Sequence, residues 1–472
     1  MERKMSHEGL SDLIDGGQFL AAEELFSERR TDDPFEMVIR AEVAMYFDRL
    51  EDADLLLEQV APRISDINVA ARFSLTRGRL ALVQDRDDQA QAPLESAFHF
   101  YSFHNDAFGI ARALLALATL SRRRGNLDEA ATQLENAEEL ISGRTTKRSD
   151  YLKFIITTER AHLAVDRGET DLAAELYSEA TPGLRQLEKG KFYAYSLLGQ
   201  ADLRCELGEY QESLEIYKEA NTVFERYDLK RDSADCQLKT AKALVRLKRY
   251  ERGERLAQDS LALRRGDPAG ESATFAILSS IALQQSNTEE AATRANNALK
   301  LADQSRSAES RLAARAALGQ VKLAEREFKE ASELLREAAE IAHGLSASAE
   351  HRRMELEAVI YLAEALHHLD TRAGRAELLR ASELLNHLED AWLGDEFNRV
   401  SAKYEEQIVF TDDNRLVFDG NQLPRWQEAK RTLEGFLLRN ALRQTNNSLT
   451  RAARKLGVSK VHVHNLKKKH NI

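Results

Sequence analysis

The sequence predicts an all-α protein in which an α-solenoid of about ten helical hairpins precedes a small three-helix unit. Its 472 residues, 43% of them hydrophobic, are too many for one compact core, so more than one packing unit is expected. Only 6 prolines and 22 glycines occur, which is few for an all-β protein of this length. A pattern of small residues recurs about every forty residues, as is typical of helical repeat proteins.

Each repeat consists of a helix end, a short turn and the start of another helix. The unit is clearest in RGNLDEAATQLENA at 124–137 and in LGEYQESLEIYKEA at 207–220. We place the turns of the successive copies at Gly16, Asp48, Asp85, Gly125, Gly168, Gly208, Lys248, Ser286, Arg326 and near Leu369.

Three columns of small residues accompany these turns, and closely crossing helices require small side chains. One column stands seven residues before the turn, from Gly9 to Gly319, and another stands twelve residues after it, from Ala97 to Ala338. The columns predict hairpins that stack on their neighbours through buried small residues. The third column stands five residues after the turn and reads Ala21, Ala53, Ala90, Ala130, Ala173, Ser213, Gly253, Ala291 and Ala331.

This pattern resembles the tetratricopeptide repeat (TPR) family, whose helical hairpins stack into a right-handed superhelix. The columns match the small positions of that family, and its aromatic residue two positions after the turn is present as Tyr210, Tyr250 and Phe328. The resemblance covers roughly residues 5–392, although the period exceeds the family's 34 residues and the proline that usually closes each repeat is lacking. It implies a TPR-like array over residues 1–407 that ends in a capping helix, GDEFNRVSAKYEEQ. An unrelated alanine-rich helical fold is the alternative.

In tetratricopeptide arrays the position six residues before the turn points into a concave groove. A polar column there, on otherwise apolar helices, predicts a continuous hydrated surface that binds a protein or peptide partner. Arg72, Arg112 and Arg122 are expected near its N-terminal end, where they suggest an anionic ligand or an acidic peptide. The alternative is an ordinary solvated face. In seven consecutive copies the column reads Arg79, Thr119, His162, Asp202, Lys242, Ser280 and Gln320.

Residues 408–423 differ in character from the array and are predicted to be a linker. The apolar residues 408–410 precede the turn signal TDDN, and the apolar residues 416–418 follow it. Two short apolar runs around a turn predict a short β-hairpin.

Basic residues are concentrated after the linker. From Arg425 to Ile472 the chain carries 12 Lys and Arg against 2 Asp and Glu, whereas residues 1–424 carry 55 against 76. The formal charge of −11 therefore combines a tail of +10 with a body of −21. Because a local basic excess attracts phosphates, the tail is predicted to bind nucleic acid and the acidic body to repel it.

The first of the three predicted tail helices begins near Pro424, which suits a first helical turn, and continues to Thr445. Asn446 and Asn447 are expected to end it, because asparagine tolerates the left-handed conformation better than most residues. The apolar residues that share one face of this helix are Leu433, Phe436, Leu437 and Ala441.

The second tail helix is predicted over Thr450–Leu456, and the third runs to about His470. Gly457 allows the tight turn between them, and Val458 is expected to anchor that turn. Ser459 is expected to cap the third helix.

The segment from Ala441 to Ile472 resembles the Fis-type helix-turn-helix (HTH), the domain that ends many bacterial enhancer-binding activators. Asn446 and Asn447 replace the usual glycines, and His462 and Val463 replace a frequent threonine and a frequent leucine. The resemblance implies a DNA-binding domain over residues 424–472 that dimerises through its first helix. The residues that match its pattern are Ala441, Leu442, Thr445, Ala452, Ala453, Leu456, Gly457, Val458, Leu466 and Lys467.

A recognition helix of this type places its N-terminal residues at base edges in the major groove and its flanks on phosphates. A merely solvated lysine-rich face is the alternative. With Val463 and Leu466 facing inward, the predicted base-contacting residues are Lys460, Val461, His464 and Asn465. The residues predicted to lie at phosphates, beside the capping Ser459, are Thr450, Arg451, Arg454, His462, Lys467 and Lys468.

The sequence lacks the signature motifs of several functional classes. Enhancer-binding activators usually carry an ATPase before the Fis-type domain, but no GxxxxGK, nucleophile elbow or HExxH occurs here, so an enzyme is not expected. His462 and His464 project about 200° apart around a helix and cannot share a metal ion. Cys205 and Cys236 predict reduced thiols rather than a disulfide framework or a zinc site. We therefore expect neither a metal nor a cofactor.

The sequence predicts a cytoplasmic, nucleoid-associated protein of bacterial type. Its N-terminus lacks the apolar core of a signal peptide, and its most apolar stretch, residues 107–120, contains Arg112, so no membrane span is expected.

The predicted function is sequence-specific regulation of transcription by a homodimer on double-stranded DNA, with a protein or peptide partner bound to the array. The alternative is an interaction scaffold that the basic tail tethers to DNA without selecting a site. An accessory subunit of a larger assembly is a weaker alternative. Only a regulator needs a large ratio of specific to non-specific affinity, so that ratio distinguishes the first two.

Overall fold

The computed structural model describes residues 6–27, 31–187, 190–305, 307–345, 349–386, 388, 390–405, 426–445 and 447–470. Over these residues the chain is all-α, with 24 α-helices, one short 3-10 turn at Ala61–Arg63 and no strand, which confirms the predicted fold class. The chain divides into two compact units, Met1–Phe397 and Asn398–Ile472. The β-hairpin predicted at residues 408–418 lies outside the described residues.

Twenty helices of the first unit form ten consecutive hairpins, each packed on the next, as a TPR-like α-solenoid. They are α1 His7–Asp15, α2 Phe19–Ser27, α3 Pro34–Tyr46, α4 Leu50–Val60, α5 Ile67–Val83, α6 Asp87–Phe103, α7 Ala107–Arg123, α8 Leu127–Ile141, α9 Lys147–Arg167, α10 Thr170–Leu187, α11 Lys191–Glu206, α12 Tyr210–Arg226, α13 Lys230–Arg246, α14 Tyr250–Leu263, α15 Pro268–Gln284, α16 Thr288–Ser305, α17 Ala308–Ala324, α18 Phe328–Gly344, α19 Ala349–His367 and α20 Thr371–Leu385.

In eight copies, the turn residue expected from the sequence adopts the left-handed backbone conformation. Besides Gly125, Gly168 and Gly208, the non-glycine residues at these turns have φ between 56° and 64°; they are Asp48, Asp85, Lys248, Ser286 and Arg326. The first copy corrects the expectation by one residue. Gly17, with φ of 80°, takes the left-handed conformation in place of Gly16. Leu10 and Ala22 are consequently buried, whereas the expected Ala21 is exposed.

The small columns lie where the two helices of a hairpin cross, as expected. Ala118, Ala130 and Ala137, one from each column of the same copy, are all 0% exposed. Where the column residue is glycine, the two helices of the hairpin approach each other most closely. A β-carbon at Gly78 would lie 2.5 Å from the side chain of Leu94, and one at Gly319 would lie 2.7 Å from that of Leu335. Larger residues would therefore force these helices apart.

The last hairpin is followed by α21, Ala391–Glu405, at the position of the predicted capping helix. Its Trp392 packs on the apolar cluster that contains Leu335 and Leu362. Cys205 and Cys236 are unpaired thiols, and Cys236 is fully buried. None of the helices in the described part of the chain combines the length and the apolar character that crossing a bilayer requires.

The second unit contains three further helices, α22 Trp426–Gln444, α23 Leu449–Leu456 and α24 Lys460–Lys469. Leu466 packs against their core. Lys469 Nζ lies 2.7 Å from Glu434 Oε2, and this ion pair ties the end of α24 to α22. The core is formed by Leu438, Ala441, Leu442, Ala452, Ala453 and Val463.

The turns of this unit follow most of the sequence-based expectations. Asn447 and Gly457 are left-handed, with φ of 60° and 66°. The Ser459 hydroxyl caps α24 by accepting the His462 N–H at 3.1 Å. Val458 anchors the turn through its backbone, because its N–H donates to the Ala453 carbonyl at 3.0 Å while its side chain is 36% exposed.

Candidate functional site

The first unit encloses a cavity of about 1390 Å³ on the face formed by the first helices of the hairpins. All seven members of the polar column line it, one from each of the helices α5, α7, α9, α11, α13, α15 and α17. Arg112 and Arg122 also line the cavity. Arg72 does not, since it is 4% exposed and lies beneath the surface.

The walls of the cavity differ in side-chain size. Phe19, Tyr46 and Phe192 are large aromatic side chains in the lining. Helices α15 and α17 contribute small side chains, which leave room for a bound chain or small molecule; they are Ala273, Ala276, Ala313, Ala316 and Ala317.

A buried network of ion pairs lies at the N-terminal part of the cavity. Arg72 donates from Nε and Nη2 to the Glu42 carboxylate at 2.7 and 3.0 Å, and also to Asp15 at 3.1 Å. Arg112 bridges the same two carboxylates at 3.0 and 3.1 Å. Burial opposes ionisation of Glu42, but the charges of Arg72 and Arg112 prevail and lower its pKa to about 2. Two cations and two anions therefore balance here.

Arg122 is matched in the same way. Its Nε donates to Glu159 at 2.7 Å and its Nη1 to Asp166 at 2.8 Å. Although burial disfavours the Glu159 carboxylate, Arg122 and His162 hold its pKa far below the usual range. Arg72, Arg112 and Arg122 are thus all paired with carboxylates of the protein, a feature that the sequence did not predict.

Asp202 of the polar column is also paired within the protein. Lys239 Nζ donates to it at 2.7 Å and the Tyr217 hydroxyl at 2.6 Å. Burial works against the Lys239 cation, but the charges of Asp202 and Glu350 raise its pKa. Neither Lys239 nor Tyr217 was expected at the site, because both lie outside the column.

Arg79 and Lys242 differ from the paired side chains described above. Within the described residues, neither side chain forms a hydrogen bond or an ion pair, although both line the cavity. Burial and the neighbouring Arg112 lower the pKa of Arg79. Burial lowers the pKa of Lys242 as well, but Glu350 and Glu357 partly offset the effect. The two cations therefore face the cavity without a direct counter-ion.

Residues far apart in sequence close the cavity on one side. Asp166 on α9 accepts the Ala349 N–H at 2.6 Å, and Arg352 donates to the Asp166 carbonyl oxygen. On α19, Arg353 Nη2 lies 2.5 Å from Oε2 of Glu206 on α11, and Arg353 Nε lies 3.7 Å from Asp390 Oδ2. We term these contacts between α19 and helices α9 and α11 the clasp. Burial, together with Asp202 and Asp390, raises the pKa of Glu206 to about 8 despite Arg353.

The second unit presents the predicted DNA-binding residues on its surface. Val463 is fully buried and Leu466 packs inward, as expected. Lys467 is half-buried. The other ten are exposed; they are Thr450, Arg451, Arg454, Ser459, Lys460, Val461, His462, His464, Asn465 and Lys468. In the described part of the chain no three His, Cys, Asp or Glu side chains are grouped as metal ligands would be.

No protein-family model and no curated protein matches the sequence. Several solved structures are similar in fold. A Rap protein in complex with Competence and Sporulation Factor is 13% identical, with a TM-score of 0.49 over 79% of this chain and 100% of that one. The apo quorum sensor NprR from B. thuringiensis is 14% identical, with a TM-score of 0.49 over 74% and 97%.

A tetratricopeptide repeat protein from Parabacteroides merdae is 17% identical, with a TM-score of 0.41 over 61% of this chain and 98% of that one. At these identities the similarity concerns the helical repeat architecture alone.

Proposed function

We propose that this protein is a non-catalytic, sequence-specific DNA-binding regulator of transcription that acts as a homodimer, and that its array binds a peptide or protein partner which controls DNA binding or recruitment. The observation that carries the proposal is the exposed N-terminal half of α24. Lys460, Val461, His464 and Asn465 stand there on a helix whose opposite face is held by the buried Val463.

The chemistry of these side chains suits base edges. Lysine donates to guanine, asparagine pairs with adenine, and an apolar side chain such as Val461, which is 68% exposed, packs on a thymine methyl group. Isolated exposed apolar residues are ordinary, but one placed between two polar residues on a groove-sized helix fits major-groove readout.

The distribution of charge also supports contact between α24 and DNA. The segment from Arg425 to Ile472 carries 12 basic and 2 acidic residues, and the two basic residues of α23 predicted to lie at phosphates, Arg451 and Arg454, are both exposed. Phosphate contacts from such residues supply affinity without sequence information. Base specificity is therefore assigned to α24 and general affinity to its flanks.

The array supports the second half of the proposal. Its cavity of about 1390 Å³ is large enough for several residues of an extended peptide, and it combines apolar walls with a continuous polar column. Its acidic surface repels DNA, so the partner rather than DNA is expected there.

Titration of the full-length protein tests the DNA-binding half. A random duplex library is selected first, and affinity is then measured for the enriched site and for random duplex at fixed salt. Lys460→Ala is expected to weaken binding to the enriched site by about 1–3 kcal/mol and to affect random duplex far less. Lys467→Ala, the matched control, is expected to weaken both alike and to reduce the salt slope by about one.

Equal affinity of the wild type for the enriched site and for random duplex would reject the regulator. That result would favour the alternative, a scaffold tethered to DNA without site selection.

A further inference from the structure

We propose that Arg79 is the anchor for an acidic group of the peptide bound in the array, so that the groove selects peptides carrying a carboxylate. This inference rests on the proposed peptide-binding function of the groove and names the chemistry of its ligand.

The argument begins with the cations of the cavity. Arg112 and Arg122 are each bonded to two carboxylates of the protein, as is the buried Arg72. An added anion would have to displace those partners. Arg79 keeps its donors, because no hydrogen bond or ion pair is formed by it within the described residues.

The surroundings of Arg79 leave one positive charge in excess. Arg72 and Arg112 balance Asp15 and Glu42, and the remaining charge of Arg79 is half-buried in the cavity wall. A partly dehydrated guanidinium without a counter-ion is costly, and a carboxylate that meets its planar donors in a two-point contact removes that cost.

Lys242 provides the internal comparison. It also lines the cavity without an ion pair among the described residues, but its charged neighbours balance, because Glu350 and Glu357 raise its pKa and Lys239 and Arg246 lower it. At Arg79, by contrast, two cations, Arg112 and Arg72, act against one carboxylate, Glu42. The local field at Lys242 is therefore less positive than the field at Arg79, and a ligand carboxylate near Lys242 would also meet two like charges.

The test is a selection of random peptides displayed on phage by immobilised full-length protein, with excess non-specific duplex DNA as competitor for the basic tail. Wild type, Arg79→Gln, Arg79→Lys and Lys242→Gln are compared, and circular dichroism confirms equal helix content. We expect the wild type and Lys242→Gln to enrich peptides with a recurrent Asp or Glu. Arg79→Gln should lose this preference and bind the enriched peptides about tenfold or more weakly. Arg79→Lys, which keeps the charge but not the planar donors, should retain the preference with reduced affinity.

Three results would overturn the inference. Enriched peptides without an acidic preference would reject the anionic ligand while leaving a peptide-binding groove. An acidic preference that survives Arg79→Gln, or that Lys242→Gln abolishes equally, would reject Arg79 as the anchor. Failure of the full-length protein to enrich any peptide would reject the peptide-binding function and this inference with it.

Discussion

Glu206 is predicted to make the array less stable as the pH rises, and Glu206→Gln to remove that dependence. The carboxyl is 12% exposed, and burial with nearby Asp202 and Asp390 raises its pKa from 4.5 to about 8. Between these values the folded protein holds a proton that the unfolded chain has released. Because stability falls with pH wherever the folded state binds more protons, stability is lost between about pH 5 and pH 8.

The size of the loss in stability follows from the shift in the pKa of Glu206. Each pKa unit corresponds to about 1.4 kcal/mol, so the rise to about 8 corresponds to a loss on the order of a few kcal/mol. Glutamine has the shape of the protonated carboxyl and cannot ionise. The variant should therefore equal the wild type near pH 5 and be more stable than the wild type at pH 9.

Urea unfolding followed by circular dichroism at pH 5, 7 and 9 measures the effect as a shift in midpoint. The chain has 2 tryptophans, so Trp392 in a Trp426→Phe background gives a local fluorescence signal beside the clasp. Glu215→Gln, an exposed position on α12, is the matched control and should follow the wild type at every pH. A wild-type midpoint that does not fall relative to Glu206→Gln as the pH rises would refute the reasoning.

Three further perturbations test packing, closure and association. Gly319→Val adds a β-carbon 2.7 Å from the side chain of Leu335 on α18 and should cost about 1–3 kcal/mol in a urea titration, whereas no shift would mean that Leu335 repacks without cost. Asp166→Ala removes a buried partner of the clasp and should lower stability by about 3 kcal/mol; Asp128→Ala, which breaks a fully exposed ion pair, should leave the midpoint near wild type. Leu433 and Leu437 are 43% and 45% exposed one turn apart on α22, so serine at both should convert the proposed dimer to a monomer in sedimentation, and a monomeric wild type would contradict this.

Local geometry explains what could be predicted from the sequence. A helical hairpin repeats its contacts in every copy, so the resemblance to tetratricopeptide arrays, applied at one fixed spacing from each turn, placed the polar column on the cavity wall. The shift in the first copy has an equally local cause. Gly16 and Gly17 are adjacent, either can take a positive φ, and the chain uses the second. Val458 anchors its turn through the backbone while its side chain stays in solvent, a distinction that the sequence does not make.

The pairing of charges could not be predicted in this way. Arg72 and Asp15 are 57 residues apart, and Arg112 and Glu42 are 70 apart. The clasp contact between Asp166 and Ala349 spans 183 residues. Such contacts depend on the small rotation between successive hairpins summed over several copies, and a repeat pattern does not specify that rotation. Arg112 and Arg122 line the cavity as expected and Arg72 does not, and the carboxylate partners of all three depend on the superhelix.

Coupling between the groove and DNA binding requires a ligand that binds two conformations of the protein unequally, since equal affinity shifts no equilibrium. A conformation in which α19 separates from α9 and α11 would provide such a difference within the first unit. Glu350, Met354 and Glu357 contribute to the cavity wall from α19, and they keep that position while α19 is held against α9 and α11. A peptide that touches both this wall and Arg79 gains contacts in the clasped form that it loses when α19 separates.

This requirement predicts that Arg352→Ala, which removes the clasp hydrogen bond to the Asp166 carbonyl and leaves Arg122 with its carboxylates, weakens binding of the selected peptide even though Arg79 is unchanged. Linkage also requires the converse, so the peptide should raise the urea midpoint of the wild type more than that of Arg352→Ala at the same free concentration. Isothermal titration of both proteins at one pH and salt concentration gives the two affinities directly. Equal affinities would mean that the clasp stabilises the array without sensing the ligand, and the link from groove to DNA would then have to pass through another element.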